Sequence, residues 1–163
     1  ITSRTFGNSL FDKQLISRGV SITKGREQIR LNESIIKNYV DRNYTKLSPK
    51  TTIKNAIKIL IKNKTTEGYI VSNNQQYLGK VSLINLINKK GSADLVNFSE
   101  TNPLIIDQDA NLLFVIKKLS KFVGESIPII DKKTRNMIGI ISENDVLKAY
   151  LDISDEINQI EKH

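Results

Sequence analysis

Apolar positions follow the same order of spacings twice along the chain. In the first copy they recur at intervals of three and four residues, which places Ile53, Ala56, Ile57, Leu60 and Ile61 on one face of a helix. A short β-branched run and a polar turn follow, and a second short run ends at Ser82. This half therefore predicts the order strand, helix, strand, strand, helix, with Ser82 as the N-cap of the last helix.

The second half repeats this order about 60 residues later. A shift of 59 residues places Leu112 on Ile53, and the shift becomes 60 at Gly139 because the second hairpin turn is one residue longer. Ser142 then matches Ser82. The strands of one copy are too short and too few to form a stable sheet alone, so we expect the two copies to share one core.

This tandem arrangement, closed by a Gly-φ-φ-Ser-x-x-Asp turn in which φ is apolar, resembles the CBS domain pair, or Bateman module. The second copy matches better, in "SIPIID" and "MIGIISENDVL", and the resemblance covers roughly residues 34–151. It implies an α/β (α+β) fold with CBS repeats at 34–91 and 92–151, each strand-helix-strand-strand-helix, that form one pseudo-symmetric module. A C-terminal amphipathic helix is expected at 152–163.

The chain has a net charge of +8, and most of it lies near the N terminus, where ten basic and four acidic residues within the first 50 contribute +6. The stretch "SLFDKQLISRGVSITKGRE" at 9–27 is similar to the linker that joins the last membrane helix of prokaryotic ClC chloride channels and transporters to their cytoplasmic CBS pair. This implies that 1–33 is a basic linker near a membrane surface, preceded by a membrane domain of the same chain. From charge alone, a solvated arm and a nucleic-acid-binding segment are alternatives.

Composition excludes several kinds of chemistry. The chain has no cysteine, and its one histidine is the terminal His163, so disulfides, thiolate metal sites, Cys nucleophiles and His-based catalysis are not expected. We therefore expect no enzymatic activity and no required cofactor. No apolar run reaches the roughly 18 residues that cross a bilayer. The chain begins with Ile1 rather than Met, which suggests a fragment of a longer protein.

The two copies differ at one acidic position, where Asp145 in the second copy replaces Asn85 in the first. One interpretation is structural, because Ser142 and Asp145 have the spacing of a helix capping box. The resemblance implies another, since this Asp of CBS pairs accepts hydrogen bonds from both hydroxyls of a ribose. Asn offers only one acceptor oxygen and cannot duplicate that contact. Both interpretations stay open at this point.

By position, the resemblance assigns a site for an adenine nucleotide (ATP, ADP or AMP) to residues of both copies: Leu47, Thr65, Thr66, Ser142, Asn144 and Asp145. Eukaryotic family members tend to have an aromatic residue at the position of Thr65, where it packs on the base. Thr65 has no ring, so this chain lacks a stacking contact of roughly 0.5–1.5 kcal/mol there. A mirror cleft would combine Ile106, Gly124, Glu125 and Asn85. It lacks the Asp, and Glu125 would repel phosphates, so at most one competent site is expected.

The resemblance thus implies a regulatory cytoplasmic domain of a ClC-type chloride channel or transporter that forms a homodimer. Two alternatives share the fold: a CBS pair of a different transporter and a free-standing nucleotide sensor. Nucleic-acid binding is less favoured, because the basic segment lacks interleaved aromatic residues. We expect the dimer to use apolar helix faces formed by Leu83, Leu86 and Ile87 and by Val146, Leu147 and Tyr150.

Overall fold

The order of helices and strands was determined from a computed structural model, which describes residues 25–90 and 93–162. The elements are α1 (Gly25–Glu33), β1 (Lys46–Leu47), α2 (Ile53–Lys62), β2 (Glu67–Val71), β3 (Tyr77–Ser82), α3 (Leu83–Ile87), β4 (Ile106–Asp107), α4 (Leu112–Leu119), β5 (Ser126–Ile130), β6 (Met137–Ser142) and α5 (Glu143–Glu161). The order strand, helix, strand, strand, helix occurs twice after α1. The predicted fold class is therefore confirmed. Most of the ClC-like stretch at 9–27 lies outside the described residues.

Each copy contributes one three-stranded sheet, in the orders β1-β2-β3 and β4-β5-β6. The first strand pairs parallel to the second in both sheets, and β2 pairs antiparallel to β3. The two hairpin turns then meet, since the backbone N–H of Tyr77 donates to Arg135 at 2.9 Å and that of Met137 donates to Gln75 at 2.8 Å. Gln75 and Arg135 have φ of 65° and 64°, so equivalent residues of both turns adopt the left-handed conformation.

The described chain divides into two compact units, and each unit takes segments from both copies. The first unit contains residues 25–40, 108–124 and 141–162 and is helical in character. The second unit contains Asp41–Asp107 and Glu125–Ile140 and includes β1 to β5 with most of β6. The units therefore do not follow the boundary between the sequence repeats.

Apolar side chains fill the second unit in two clusters. The first cluster lies between the β1-β2-β3 sheet and α2, with Leu47, Leu60 and Ile70 among its fully buried members. A Cβ built on Gly68 would lie 2.8 Å from the Leu47 side chain, so a glycine allows β1 and α2 to approach this strand. The second cluster joins the two sheets through residues such as Tyr69 and Ile130.

The first unit packs α1, α4 and α5 against one another. Helix α5 has 19 residues and continues without a break through position 152, so the amphipathic helix expected at 152–163 is its second half. Its buried stripe extends through Tyr150 to Ile153, with no Gly or Pro to end it. The Tyr150 hydroxyl donates to Glu27 of α1, and burial, followed by this carboxylate, raises the pKa of Tyr150 above its usual range.

The apolar faces expected to form a dimer are mostly occupied within the chain. Leu86, Val146, Leu147 and Tyr150 are buried, so the expectation that they form an exposed surface is wrong. Ile87 is exposed as expected, at 56%, and the other exposed apolar side chain of α3 is Ile84, at 80%. Helix α3 has only five residues, and Leu86 is its buried position. The other side chains of this short helix are therefore exposed or partly exposed.

Candidate functional site

The six predicted site residues divide between the two compact units. Ser142, Asn144 and Asp145 belong to the first unit, where they form the junction of β6 and α5. The other three residues belong to the second unit. Leu47 lies in β1, and Thr65 and Thr66 lie in the loop before β2. The first unit brings Ser142 and Asp145 into direct contact, and the second brings Thr65 to the wall of a cavity.

Ser142 and Asp145 form a complete capping box at the start of α5. The Asp145 backbone N–H donates to Ser142 Oγ at 3.2 Å, and Asp145 Oδ2 accepts from the backbone N–H of Ser142 at 2.9 Å and from its hydroxyl at 2.7 Å. No described residue donates a hydrogen bond to the other oxygen, Oδ1. The side chain is partly exposed, so Oδ1 has acceptor capacity for a further donor.

The equivalent turn of the first copy forms a weaker cap. Ser82 Oγ accepts from the backbone N–H of Asn85 at 3.3 Å, and among the described residues no bond returns from the Ser82 backbone to the Asn85 side chain. The helix that follows ends after five residues. The acid therefore has a structural role in the second copy, where it caps the longer helix.

The three predicted residues of the second unit differ in accessibility. Leu47 is 1% exposed in the apolar cluster, so its side chain is a core residue. The Thr65 hydroxyl donates to the carbonyl of Glu67 and also accepts from its backbone N–H. The Thr66 carbonyl accepts from the Leu83 N–H at 2.7 Å. Thr65 is therefore the one of these three whose side chain lines the cavity described next.

A cavity of about 390 Å³ opens in the second unit between the ends of strands from both copies. Its described lining residues are Asn43, Tyr44, Thr45, Asn63, Thr65, Glu67, Tyr69, Ser126 and Ile140. Most of these side chains are amides or hydroxyls, and its volume lies in the range of small-molecule sites. Apart from Thr65, none of these residues is among the site residues predicted from the sequence.

One lining residue of this cavity, Glu67, belongs to a buried ion pair with Lys80. Lys80 Nζ lies 2.9 Å from Glu67 Oε1 and donates to the Ser126 carbonyl at 2.9 Å. The Glu67 carboxylate also accepts from the backbone N–H groups of Glu125 and Ser126, both at 3.1 Å, and from the Ser126 hydroxyl at 3.0 Å. The two charges are thus compensated and hydrogen-bonded, as burial requires. In the sequence, the pair is indicated by one charged residue in each of two short strands, Glu67 in β2 and Lys80 in β3.

Two aromatic residues form another wall. The rings of Tyr44 and Tyr69 contact each other in a T-shaped arrangement, with centroids 5.8 Å apart and planes at 86°. Tyr69 is buried, and its hydroxyl bonds to Ser126, whereas Tyr44 remains partly exposed at the cavity. Burial raises the pKa of both hydroxyls above the usual range, so both tyrosines are neutral at physiological pH.

The residues of the predicted mirror cleft have other contacts. Ile106 is buried in β4, and Glu125 contributes its backbone N–H to Glu67. Gly124 has a φ of 152°, a conformation that L-residues with side chains rarely adopt. The expectation that this cleft does not bind a nucleotide stays a prediction.

Residues 25–90 and 93–162 contain neither a cluster of metal ligands nor a helix that could span a membrane. No three acidic, His or Cys side chains come together there in a way that could hold a metal ion. Over the same residues, no helix is both long and apolar enough to cross a membrane.

Comparison with known proteins places the chain among CBS domains. A family model described as "CBS domain" matches residues 36–91 and 94–152. An uncharacterized protein of Methanocaldococcus jannaschii is 27% identical over 79 residues, which are 48% of this chain and 46% of that protein. The chain thus matches about half the length of this curated relative.

Three solved structures share the fold at low sequence identity. CBSX2, an Arabidopsis thaliana protein, in complex with AMP is 21% identical, with 74% of this chain and 98% of that chain covered and a TM-score of 0.64. CbpB in complex with c-di-AMP is 16% identical, with 82% and 95% covered and a TM-score of 0.69. The CBS pair domain of a proposed Mg²⁺ transporter from Shewanella oneidensis MR-1 is 20% identical, with 92% and 87% covered and a TM-score of 0.64.

The buried ion pair generates a prediction about stability. Lys80→Met leaves the Glu67 carboxylate buried without its cation, so we expect it to lower the free energy of unfolding by about 3–5 kcal/mol. Adding Glu67→Gln removes the stranded charge and should restore part of this loss. Urea denaturation measures all three proteins, with Lys46→Met as the control, because Lys46 is exposed and bonded only to Gln75 among the described residues. A Lys80→Met loss no larger than the control's would contradict the proposed importance of the pair.

Proposed function

Because this chain belongs to the CBS domain family and contains two tandem copies, we propose that it is a regulatory module that binds an adenine nucleotide and controls a ClC-type chloride channel or transporter. The observation that carries the nucleotide part is the polar cavity of about 390 Å³ that residues of both copies line in the second unit. The complexes of CBSX2 with AMP and of CbpB with c-di-AMP support this ligand class for the same fold.

Asp145 is the proposed ribose ligand. Its Oδ2 is engaged in the capping box, so a ribose hydroxyl would donate to Oδ1, which can accept two hydrogen bonds. The backbone N–H of Asn144 is the proposed phosphate donor, because it lies at the positive end of a helix of 19 residues, whereas the backbone N–H of Ser142 already donates to Asp145. Within the second unit, Thr65 is the predicted site residue that lines the cavity, and Leu47 and Thr66 stay predictions from the sequence.

Substitution of Asp145 tests the ribose contact. Asp145→Ala should weaken binding of AMP, ADP and ATP by roughly 1.5–3 kcal/mol, the contribution of a hydrogen bond to a charged group. Asp145→Asn is the matched variant, because an amide keeps an acceptor for the helix cap and loses the charge. Calorimetric titration measures the affinities. If the wild-type chain binds none of the three nucleotides, the nucleotide proposal is wrong, and if both variants bind like the wild type, Asp145 is not a ligand.

The proposed host is a ClC-type protein, with the module at the cytoplasmic face of the cell membrane. The support is the similarity of residues 9–27 to the linker of prokaryotic ClC proteins and the excess of basic residues before position 50. A CBS pair of another transporter is the second candidate, because one structural neighbour is the CBS pair of a proposed Mg²⁺ transporter. A nucleotide sensor without a membrane domain is a further alternative.

A flux measurement distinguishes these hosts. The complete protein, with whatever its gene encodes before Ile1, is reconstituted in liposomes and assayed for chloride and for Mg²⁺ transport with and without AMP or ATP. We expect chloride flux that changes with nucleotide in the wild type and does not change in Asp145→Ala. Mg²⁺ transport without chloride flux would favour the second candidate, and a gene that encodes no membrane segment would exclude both.

We also propose that the module forms a homodimer through the exposed apolar positions of α3. Ile84 and Ile87 lie on its outer side, where water contacts large aliphatic side chains. Ile84→Asp should therefore shift the chain towards the monomer in sedimentation experiments. Phe114→Asp on α4 is the control, because Phe114 is also an exposed apolar residue, at 44%. An equal shift in both variants, or none in Ile84→Asp, would contradict the proposed surface.

A further inference from the structure

Lysines recur at every fourth position in and just before α2. They are Lys50, Lys54, Lys58 and Lys62, which we call the lysine row, and all four are exposed. We propose that the lysine row binds the anionic headgroups of a membrane surface, with Ile61 entering the boundary between the headgroups and the acyl chains. This inference goes beyond the proposed function, because it requires neither nucleotide binding nor a ClC host.

The charge of this segment is one-sided. From Arg42 to Thr66 the chain has seven basic residues and no acidic one. The lysines of the row within α2 are four residues apart, so they lie on one side of the helix, about 6 Å from one another along its axis. Among residues 25–90 and 93–162, no carboxylate lies within salt-bridge distance of the row. Its positive charge is therefore complementary to an anionic partner.

The row does not stabilise α2 itself. Like charges four residues apart on a helix repel each other, and Lys54 lies in the first turn, where the helix dipole favours an anion. Lys62, in the last turn, is the one lysine of the row that the dipole favours. The N-cap is Thr52, whose hydroxyl accepts from the Asn55 N–H at 3.2 Å, so no lysine is needed to begin the helix. A partner of opposite charge would offset the repulsion.

The second copy lacks this row, so the repeat does not require it. At the shift of 59 residues, the four positions are occupied by Asp109, Leu113, Lys117 and Lys121. The net charge over these positions is +4 in the first copy, from four lysines, and +1 in the second, from two lysines and one aspartate. Because α2 and α4 occupy equivalent places in the order of elements, the α4 segment provides a matched control for α2.

Two lysines of the row line an open cavity of about 470 Å³ beside α2. Its described lining residues are Ser48, Lys50, Thr51, Asn55, Lys58 and Ile59. These comprise two ammonium groups, two hydroxyls and an amide, and none of them is acidic. Ammonium and hydroxyl groups donate to phosphate oxygens, so the cavity suits the phosphate of one lipid headgroup while the rest of the row follows the surface.

An exposed isoleucine favours a membrane over a nucleic acid as the partner. Ile61 is 60% exposed, and it lies one turn after Lys58 and next to Lys62. A large aliphatic side chain among lysines is typical of a helix at a lipid interface, where lysine side chains extend to the headgroups. Helix α2 contains no aromatic residue that could stack on bases.

Vesicle binding with matched charge reversals tests the row. The whole chain is sedimented with vesicles of phosphatidylcholine, alone or with about 30% phosphatidylglycerol, in about 100 mM NaCl. We expect the wild type to bind the anionic vesicles and Lys58→Glu/Lys62→Glu to bind them at least about tenfold more weakly. The control, Lys117→Glu/Lys121→Glu, changes the net charge equally and should stay within about threefold of the wild type.

Urea denaturation separates loss of the partner from loss of the fold. The single change Lys58→Glu replaces the repulsions with Lys54 and Lys62 by attractions, so its urea midpoint should equal or exceed that of the wild type. Its affinity for anionic vesicles should nonetheless fall at least about threefold. A merely structural role of the row predicts the reverse, a lower midpoint with unchanged binding.

A fluorescent reporter tests the position of Ile61. The chain contains no tryptophan, so Ile61→Trp supplies a single one. Its emission should shift to the blue when anionic vesicles are added. Phe114→Trp on α4 is the control, because Phe114 is also an exposed apolar residue, and it should show no shift. Equal shifts in both variants, or no shift in bound Ile61→Trp, would contradict the insertion of this position.

Other outcomes overturn the inference. If the wild type does not bind anionic vesicles, or if both double variants weaken binding equally, the lysine row is not a membrane surface. If Lys58→Glu/Lys62→Glu also shifts the chain towards the monomer, loss of the second copy accounts for its weaker binding. A DNA duplex that binds through the row while vesicles do not would identify a nucleic acid as the partner. Asp145→Ala should bind vesicles like the wild type, so failure of nucleotide binding leaves this inference standing.

Discussion

The buried pair of Glu67 and Lys80 is the interaction on which the second unit depends. Removing two charges from water is costly, and the cost is offset here because every strong group of the pair has a partner. Glu67 belongs to the first copy, yet its carboxylate accepts from two consecutive backbone N–H groups at the start of β5 in the second copy. These charge-assisted hydrogen bonds join the start of β2 to the start of β5, although the two strands belong to different sheets. Glu67 and Ser126, which these bonds join, also line the cavity. The position of this wall therefore depends on the ion pair.

The regular elements could be predicted from the sequence because their signals are local. The spacing of Ile53, Ala56 and Leu60 identifies α2, and the serines before α3 and α5 identify where those helices begin. The cavity could not be predicted in the same way, because its lining comes from segments as far apart as Asn43 and Ile140. The resemblance identified Thr65 at its wall, but it also suggested Leu47, whose side chain packs in the core. The sequence signal of the pair is Lys80, because a lysine between Gly79 and Val81 in a short strand requires a compensating partner when it is buried.

The acidic residue that distinguishes the two copies has a structural explanation that does not exclude a ligand. Oδ2 of Asp145 completes the capping box of a 19-residue helix, whereas Asn85 precedes a helix of five residues. The two oxygens of one carboxylate can serve separate partners, so the cap and a ribose contact are compatible. Asp145 alone is therefore weak evidence for a nucleotide. The stronger evidence is the polar cavity, which residues of both copies line.

The absence of Lys and Arg from the described lining of this cavity has a consequence for regulation. A site that reads the base and the ribose without a cation responds to AMP, ADP and ATP alike, because these ligands differ only in their phosphates. Discrimination among them has to come from groups that contact the phosphates, and the backbone N–H of Asn144 at the start of α5 is the proposed candidate. A ligand can shift a conformational equilibrium only by its difference in affinity for the two states. Control by the ratio of nucleotides therefore requires phosphate contacts that change between states, whereas nucleoside contacts alone support control by total occupancy.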